Sequence, residues 1–307
     1  MATSADDTDS VTRSPDDVFA AIADETRIRI IRAIGEADGP LSFSEIRESV
    51  GMAHSGQFHY HLDQLVGHLV HKTDDGYELS SAGRYIVEAI YAGVLIDEPP
   101  SERIPIEMPC WECGGRIEVR VGTGWVDSYC LDCVGVYPVK DEEEAGRLVR
   151  ARLPPAGLRN RTPEEAFRVA MVLSRLDMLA YANGICPRCS ARVEYTLDVC
   201  HAHEDDTDLC ETCDRVWGVM VDTDCSNCIF GVRTSIGNIL GGKEETLRFW
   251  LEHEWNLVDP SVDTDSTWAL DEEILSIDPF EGRFTWYLKG DSLVLEVDSD
   301  LQISTVK

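Results

Sequence analysis

Residues 110–133 read CWECGGRIEVRVGTGWVDSYCLDC, and the two ends of this stretch set the fold of the chain around it. Each end is a C-x2-C pair, Cys110 with Cys113 and Cys130 with Cys133, sixteen residues apart. Between them Ile117, Val119 and Val121 alternate with polar residues, the period of a half-buried strand, and Gly122-Thr123-Gly124 supplies a turn. The spacing therefore predicts a hairpin that lays the second pair over the first. Four thiolates around a d10 ion make a closed tetrahedral site, which stabilises a fold and leaves no open position for catalysis.

Downstream the same device recurs. Cys186/Cys189, Cys210/Cys213 and Cys225/Cys228 are three more C-x2-C pairs, and Cys200 is the one cysteine of eleven outside such a pair. The spacing Cys200-x2-His203 selects His203 over His201 as its partner, so that eight ligands in four pairs can hold two further ions. Every cysteine is then used, and three zinc ions per chain are expected, all structural. Spacing leaves the pairing within 186–228 open: neighbouring pairs can share an ion, alternate pairs can interleave, or a long ribbon can join Cys186/Cys189 to either later pair. The six-residue gap before Cys210 departs from the spacing of RING fingers. A reduced cytosolic chain favours metal over disulfides, and a thiol redox switch is the alternative use of such pairs.

Upstream, Ser14-Pro15-Asp16-Asp17 opens a helix with an N-cap, a proline at the first position and acidic residues in the first turn. A second helix starts at Asp24. The capping box Ser42-Phe43-Ser44-Glu45 starts a short third, ended by Gly51. The next begins near Ser55, with Phe58, Leu62, Leu65 and Leu69 as its buried stripe. Val70–Thr73 and Tyr77–Leu79 read as strands around Asp74-Asp75-Gly76, and Ser81–Ile96 as a last amphipathic helix. This is the element order of a winged helix-turn-helix.

The stretch from Phe19 to Ile31, FAAIADETRIRII, resembles the entry helices of ArsR-like transcriptional regulators, and Ser55–Leu65, SGQFHYHLDQL, resembles their recognition helix. The whole chain resembles multi-domain haloarchaeal regulators that join this domain to cysteine-rich modules. The resemblance implies double-stranded DNA as partner and a homodimer that pairs through the last helix, with a protein partner or small effector possible. With the apolar stripe inward, Ser55, Gly56, Gln57, His59 and Tyr60 fall where such a helix enters a major groove, and Lys72 in the hairpin can reach the backbone or minor groove. No Arg or Lys lies between His54 and His71; Arg27, Arg29, Arg32, Arg47 and Arg84 are the candidates for phosphate contact. The histidines at 54, 59, 61, 68 and 71 are read as solvated or DNA-facing.

The remaining chain is expected to hold two helices broken by Pro154-Pro155, a helix near 243–254, and strands at Phe284–Leu288 and Leu293–Val297. The predicted class is therefore α+β and multi-domain. It comprises a flexible tail over 1–13, the winged helix over 14–96, a zinc ribbon over 97–140 and a helical connector over 141–183. A second zinc module with its helix (184–255) and a C-terminal αβ segment (256–307) complete it. Basic residues number 27 against 57 acidic, a net charge of −30, with only 5 lysines beside 22 arginines. An evenly acidic, lysine-poor chain resembles the proteins of salt-in halophilic archaea. No apolar run suits a membrane span or signal peptide, so a cytoplasmic location is expected. No glycine loop for phosphate and no nucleophile elbow suggests an enzyme. The expected function is sequence-specific transcriptional regulation; the rival is a basal transcription component of the archaeal TFE type.

Overall fold

The computed structural model describes residues 14–96, 100–137, 142–203, 209–256 and 268–306, so the tail expected over 1–13 lies outside the described residues. The chain divides into two compact units, Met1–Ile96 and Asp97–Lys307.

In the first unit, side-chain caps fix where the helices begin. Ser14 and Asp17 form a capping box at α1 (Pro15–Ile22), and the Asp24 carboxylate accepts from Thr26 N–H at 2.8 Å to open α2 (Glu25–Gly35). Ser42 and Glu45 form a second capping box at α3 (Phe43–Ser49), and α4 spans Ser55–Asp63. Strands β1 (Val70–Thr73) and β2 (Gly76–Leu79) pair as an antiparallel hairpin. Helix α5 (Ser81–Ala92) follows; it stops short of the expected Ile96 because Gly93 turns left-handed at φ 77°. Ile30, Ile31, Ile46, Phe58, Leu62, Leu65 and Leu69 make an apolar core. Full burial of each contributes about 1.5–3 kcal/mol. Leu65 and Leu69 are buried as the spacing required, but they lie beyond the end of α4, in the turns that lead into β1.

The second unit begins with a four-stranded antiparallel sheet in the order β3 (Ile104–Pro109), β4 (Arg116–Gly122), β5 (Gly124–Cys130), β6 (Arg147–Leu153). Strand β6 corrects the expectation of a helix before Pro154-Pro155: the segment pairs with β5 from Leu153↔Gly124 to Arg147↔Tyr129. The 20-residue α6 (Pro163–Ala182), started by a Thr162/Glu165 capping box, places Phe167 and Ala170 in one core with Ile117, Val119, Val126 and Leu148 of the sheet.

A three-stranded sheet follows, β7 (Val193–Val199), β8 (Val219–Cys225) and β9 (Gly231–Ser235), then α7 (Ile236–Leu240) and α8 (Glu244–Glu252). The chain ends in a meander of β10 (Trp268–Ile277), β11 (Phe280–Leu288), β12 (Asp291–Asp298) and β13 (Ile303–Val306). Phe280, Phe284, Trp286 and Leu288 point inward at period two and join Ile236, Ile239, Val219 and Trp250 in a second core. The architecture is mixed α+β with several small sheets. Among the described residues no helix is long and apolar enough to cross a membrane.

Candidate metal centres

Three groups of side chains in the second unit converge so that their ligand atoms lie within 4.8 Å of one another: Cys110/Cys113/Cys130/Cys133, Cys186/Cys189/Cys225/Cys228, and Cys200/His203/Cys210/Cys213. All eleven cysteines are free thiols. Sulfur pairs stand at 4.0 Å (Cys110–Cys133), 3.5 Å (Cys113–Cys130), 3.7 Å (Cys186–Cys228) and 3.5 Å (Cys189–Cys225). A disulfide needs about 2.05 Å. A tetrahedron with metal–sulfur bonds of about 2.3 Å has edges of about 3.8 Å, which these separations bracket. The mixed edge from Cys213 Sγ to His203 Nδ1, 3.6 Å, fits the shorter metal–nitrogen bond. The donor sets could thus hold metal ions such as zinc.

Backbone geometry explains why short C-x2-C segments present both sulfurs to one point. The N–H two residues after the first cysteine of a pair donates to its sulfur: Glu112 to Cys110, Asp132 to Cys130, Arg188 to Cys186 and Asn227 to Cys225, all at 3.3–3.4 Å. A tight turn then closes behind the second cysteine, as in Gly114 N–H to Cys110 C=O (2.8 Å), Ser190 to Cys186 (2.9 Å) and Asp214 to Cys210 (2.9 Å). The residue that closes it is left-handed in each case: Gly114 at φ 73°, Ser190 at 62° and Asp214 at 54°.

The pairing left open by spacing is nested. Strands β7 and β8 run antiparallel from Val193↔Cys225 to Val199↔Val219. Cys186/Cys189 and Cys225/Cys228 gather at the base of this hairpin, while Cys200/His203 and Cys210/Cys213 gather at its far end. Seven strand residues separate the two groups by about 23 Å. Cys110/Cys113 follow β3, and the second pair begins at the end of β5, where Ile117↔Cys130 pairing sets it beside the first.

Four thiols packed this closely need a cation before all can ionise. Burial, followed by neighbouring sulfurs, pushes Cys133 up to about 12, whereas N–H donation from Ala191 draws exposed Cys189 down to about 6. A bound dication would ionise the whole set.

Sequence reading missed the residues that aim these ligands. His203 Nε2 lies 3.2 Å from the Val216 carbonyl, which fixes that nitrogen as the donor and leaves Nδ1 for a metal. Its ring rests on Gly218, where an added Cβ would stand 3.1 Å from the imidazole; Gly218 C=O in turn accepts from Cys200 N–H at 2.9 Å. Asn227 Nδ2 reaches Cys189 Sγ at 3.7 Å. Gly146, at φ 76°, accepts from Cys130 N–H at 2.7 Å, and any Cβ there would collide with the Cys130 carbonyl. His201 is exposed and stands outside the third group.

A family model described as Domain of unknown function (DUF7351) matches residues 107–303, well over half of the chain and all twelve ligands. The chain belongs to the DUF7351 family. A second model, Domain of unknown function (DUF7347), matches residues 15–90. No curated protein and no solved structure matches.

The DUF7351 segment thus carries the three candidate centres, and the DUF7347 segment carries the residues expected to face DNA. There Ser55, Gly56, Gln57, His59 and Tyr60 are exposed along α4, with Tyr60 60% accessible, while Phe58, His61 and Leu62 face inward; Lys72 is exposed on β1. His61 corrects the reading of solvated or DNA-facing histidines: it is buried with Nδ1 3.6 Å from the Asp24 carboxylate that caps α2. Two of the candidate phosphate-binding arginines have internal partners. Arg29 donates to the Val50 carbonyl, and Arg32 pairs with Glu36 at 3.9 Å and stacks over Tyr91.

Proposed function

We propose that this protein is a sequence-specific DNA-binding transcriptional regulator whose first unit is an ArsR-like winged helix and whose second unit is fixed by three structural zinc ions. The observation that carries the reading is the division of α4. Its first turn and a half offers Ser55, Gln57, His59 and Tyr60 to solvent, while Phe58 and Leu62 anchor it in a dry core. A helix seated this way can enter a major groove with a rigid N-terminal half. Gln57 is the residue suited to a bidentate pair with adenine; Ser55, His59, Tyr60 and the hairpin Lys72 suit phosphates or neighbouring bases. Zinc is the ion best suited to two donor sets of four thiolates and one of three thiolates and an imidazole, because closed tetrahedral sulfur sites favour a d10 dication. In this reading the metals serve folding.

Selection from random duplexes by the full-length protein in molar KCl tests the reading. A recurring site should emerge, and Gln57→Ala should relax the preference at one base pair by about 1–3 kcal/mol. Recovery of no preferred sequence overturns it. A second reading, contact with the basal transcription machinery, is favoured by the charge of these elements: α4 has no Lys or Arg and an exposed Asp63, and Asp74, Asp75 and Glu78 are exposed on the hairpin. Under that reading the protein would be retained by polymerase or promoter complexes irrespective of DNA sequence.

A further inference from the structure

The second unit holds a partly open cavity of about 860 Å³ where the β3–β6 sheet, α6, β8–β9, α7 and the terminal meander meet. Its size is that of pockets that hold cofactor- or drug-sized molecules. The composition of its wall departs sharply from that of the chain. Five of the seven tryptophans line it, Trp111, Trp217, Trp250, Trp255 and Trp286. So do six arginines, against Glu112 as the one carboxylate among the described residues, in a chain of net charge −30.

Five of those arginines are already neutralised. Arg147 pairs with Glu144, Arg150 with Asp127 at 2.6 Å, Arg168 with Glu164 at 2.9 Å, Arg215 with Asp198 at 3.0 Å, and Arg233 with Asp222 at 2.7 Å. The sixth, Arg175 of α6, has no carboxylate within ion-pair distance among the described residues. Its neighbours are the Met178 thioether at 3.8 Å and the face of Trp250 at 5.7 Å. Arg175 is half-buried, and desolvation lowers its pKa. A partly desolvated cation without an anion is costly to keep. Trp217, also in the lining, has its Nε1 buried with no acceptor among the described residues, so the wall holds both an unmatched charge and an unmatched donor.

We propose that this cavity is a binding site for an organic anion, a single carboxylate on an aromatic or acyl body, with Arg175 holding the carboxylate and the tryptophans and methionines enclosing the body. One unpaired guanidinium calls for one anionic group, and a bidentate arginine–carboxylate contact is the strong form of that pairing. The flat indole faces and the thioethers of Met108, Met171 and Met178 suit an apolar body that presents either a ring or a chain. The site does not depend on the DNA-binding reading.

Calorimetric titration of the metal-loaded, full-length chain with naphthoate and decanoate, each beside its neutral amide, tests it, with tryptophan quenching as a second readout. At least one anion should bind saturably at one per chain, about tenfold tighter than its amide. Arg175→Met should erase the difference between anion and amide, Arg175→Lys should retain part of it, and Ser174→Phe, which fills the void from the same helix, should weaken both. Failure of both anions to saturate overturns the proposal, as does equal binding of anion and amide, or an Arg175→Met protein that keeps the preference. Should Arg175→Met fail to fold, Arg175→Lys and Ser174→Phe still decide the matter.

Discussion

His203 shows how much of a candidate metal centre rests on one side chain and its support. Its Nε2 is held by the Val216 carbonyl and its ring lies over Gly218, an arrangement that aims Nδ1 at the sulfurs. His203→Ala should therefore lower the metal content from three ions per chain to two, whereas His203→Cys should keep three; elemental analysis of purified protein distinguishes them. His201, two residues away, should be replaceable without loss. The spacing Cys200-x2-His203 made the ligand legible, since C-x2-H repeats the knuckle. Its support was not, because Val216 and Gly218 lie across the hairpin and carry no chemical signature. A second single-residue device is His253, whose Nε2 lies 2.9 Å from the Asp291 carboxylate at the end of α8. Asp291 and the Phe249 carbonyl raise its pKa above 6.5. A raised value means that the pairing stabilises the fold fully below the unfolded-state pKa and is lost as pH rises through the folded one. Asp291→Asn should thus destabilise the protein at pH 6 by under about 1 kcal/mol, as befits an exposed pair, and the difference from wild type should fade in chemical denaturation above neutral pH.

At the scale of elements, the hairpin β7–β8 carries a metal group at each end, and the two ends are not equivalent. The base group joins the core through buried Cys186 and the flanking Cys225 and Cys228, packed with Val193 and Tyr195. The far group is joined to the terminal meander through Glu272, which accepts from Gly218 and Val219 N–H at 2.8 and 3.2 Å. Cys213→Ser should consequently release one ion and expose amides near 200–203 and 209–218 to hydrogen exchange while β7 and the second half of β8 stay protected. Cys186→Ser should spread the loss into β9 and α7. Elements with strict local patterning were readable: the N-cap at Ser14, the capping box at Ser42, the alternation of β4 and the strand at Phe284–Leu288. Strand β6 was misread because Leu148 and Ala151 are among its buried residues, three apart as on a helix, in a stretch of arginine, leucine and alanine. A register shift opposite Ser128/Tyr129 breaks the alternation, and pairing to β5 overrides the local preference. Strands β7, β8 and β10 escaped reading for a related reason: they carry Asp, Glu and Thr in runs that look like loop.

For the whole molecule, the placement of charge and sulfur was only half visible. The twelve residues of the candidate centres could be picked out in sequence because each pair is local, but the arginine- and tryptophan-lined cavity gathers residues from 108 to 286 and has no linear signature. The units differ in what holds them. Residues 14–96 contain no cysteine and bury an apolar core of their own, whereas all eleven cysteines belong to the second unit. A domain of about 80 residues with one dry core has a stability of only several kcal/mol, yet it can fold without metal. In the second unit the knuckles belong to the β3–β6 and β7–β9 sheets, and structural zinc there would supply about 10–16 kcal/mol of apparent binding energy, as in small zinc-binding peptides, which would make folding and binding one event. Thermal unfolding of the metal-loaded chain should therefore show two transitions. A strong chelator should abolish the one that reports on the second unit's buried tryptophans, Trp250 and Trp286 among them, and leave the helical transition of the tryptophan-free first unit within a few degrees of its original midpoint. Far-ultraviolet dichroism and tryptophan fluorescence recorded on the same sample separate the two signals. A single transition lost in both signals on chelation would show that the helical unit depends on the metals as well.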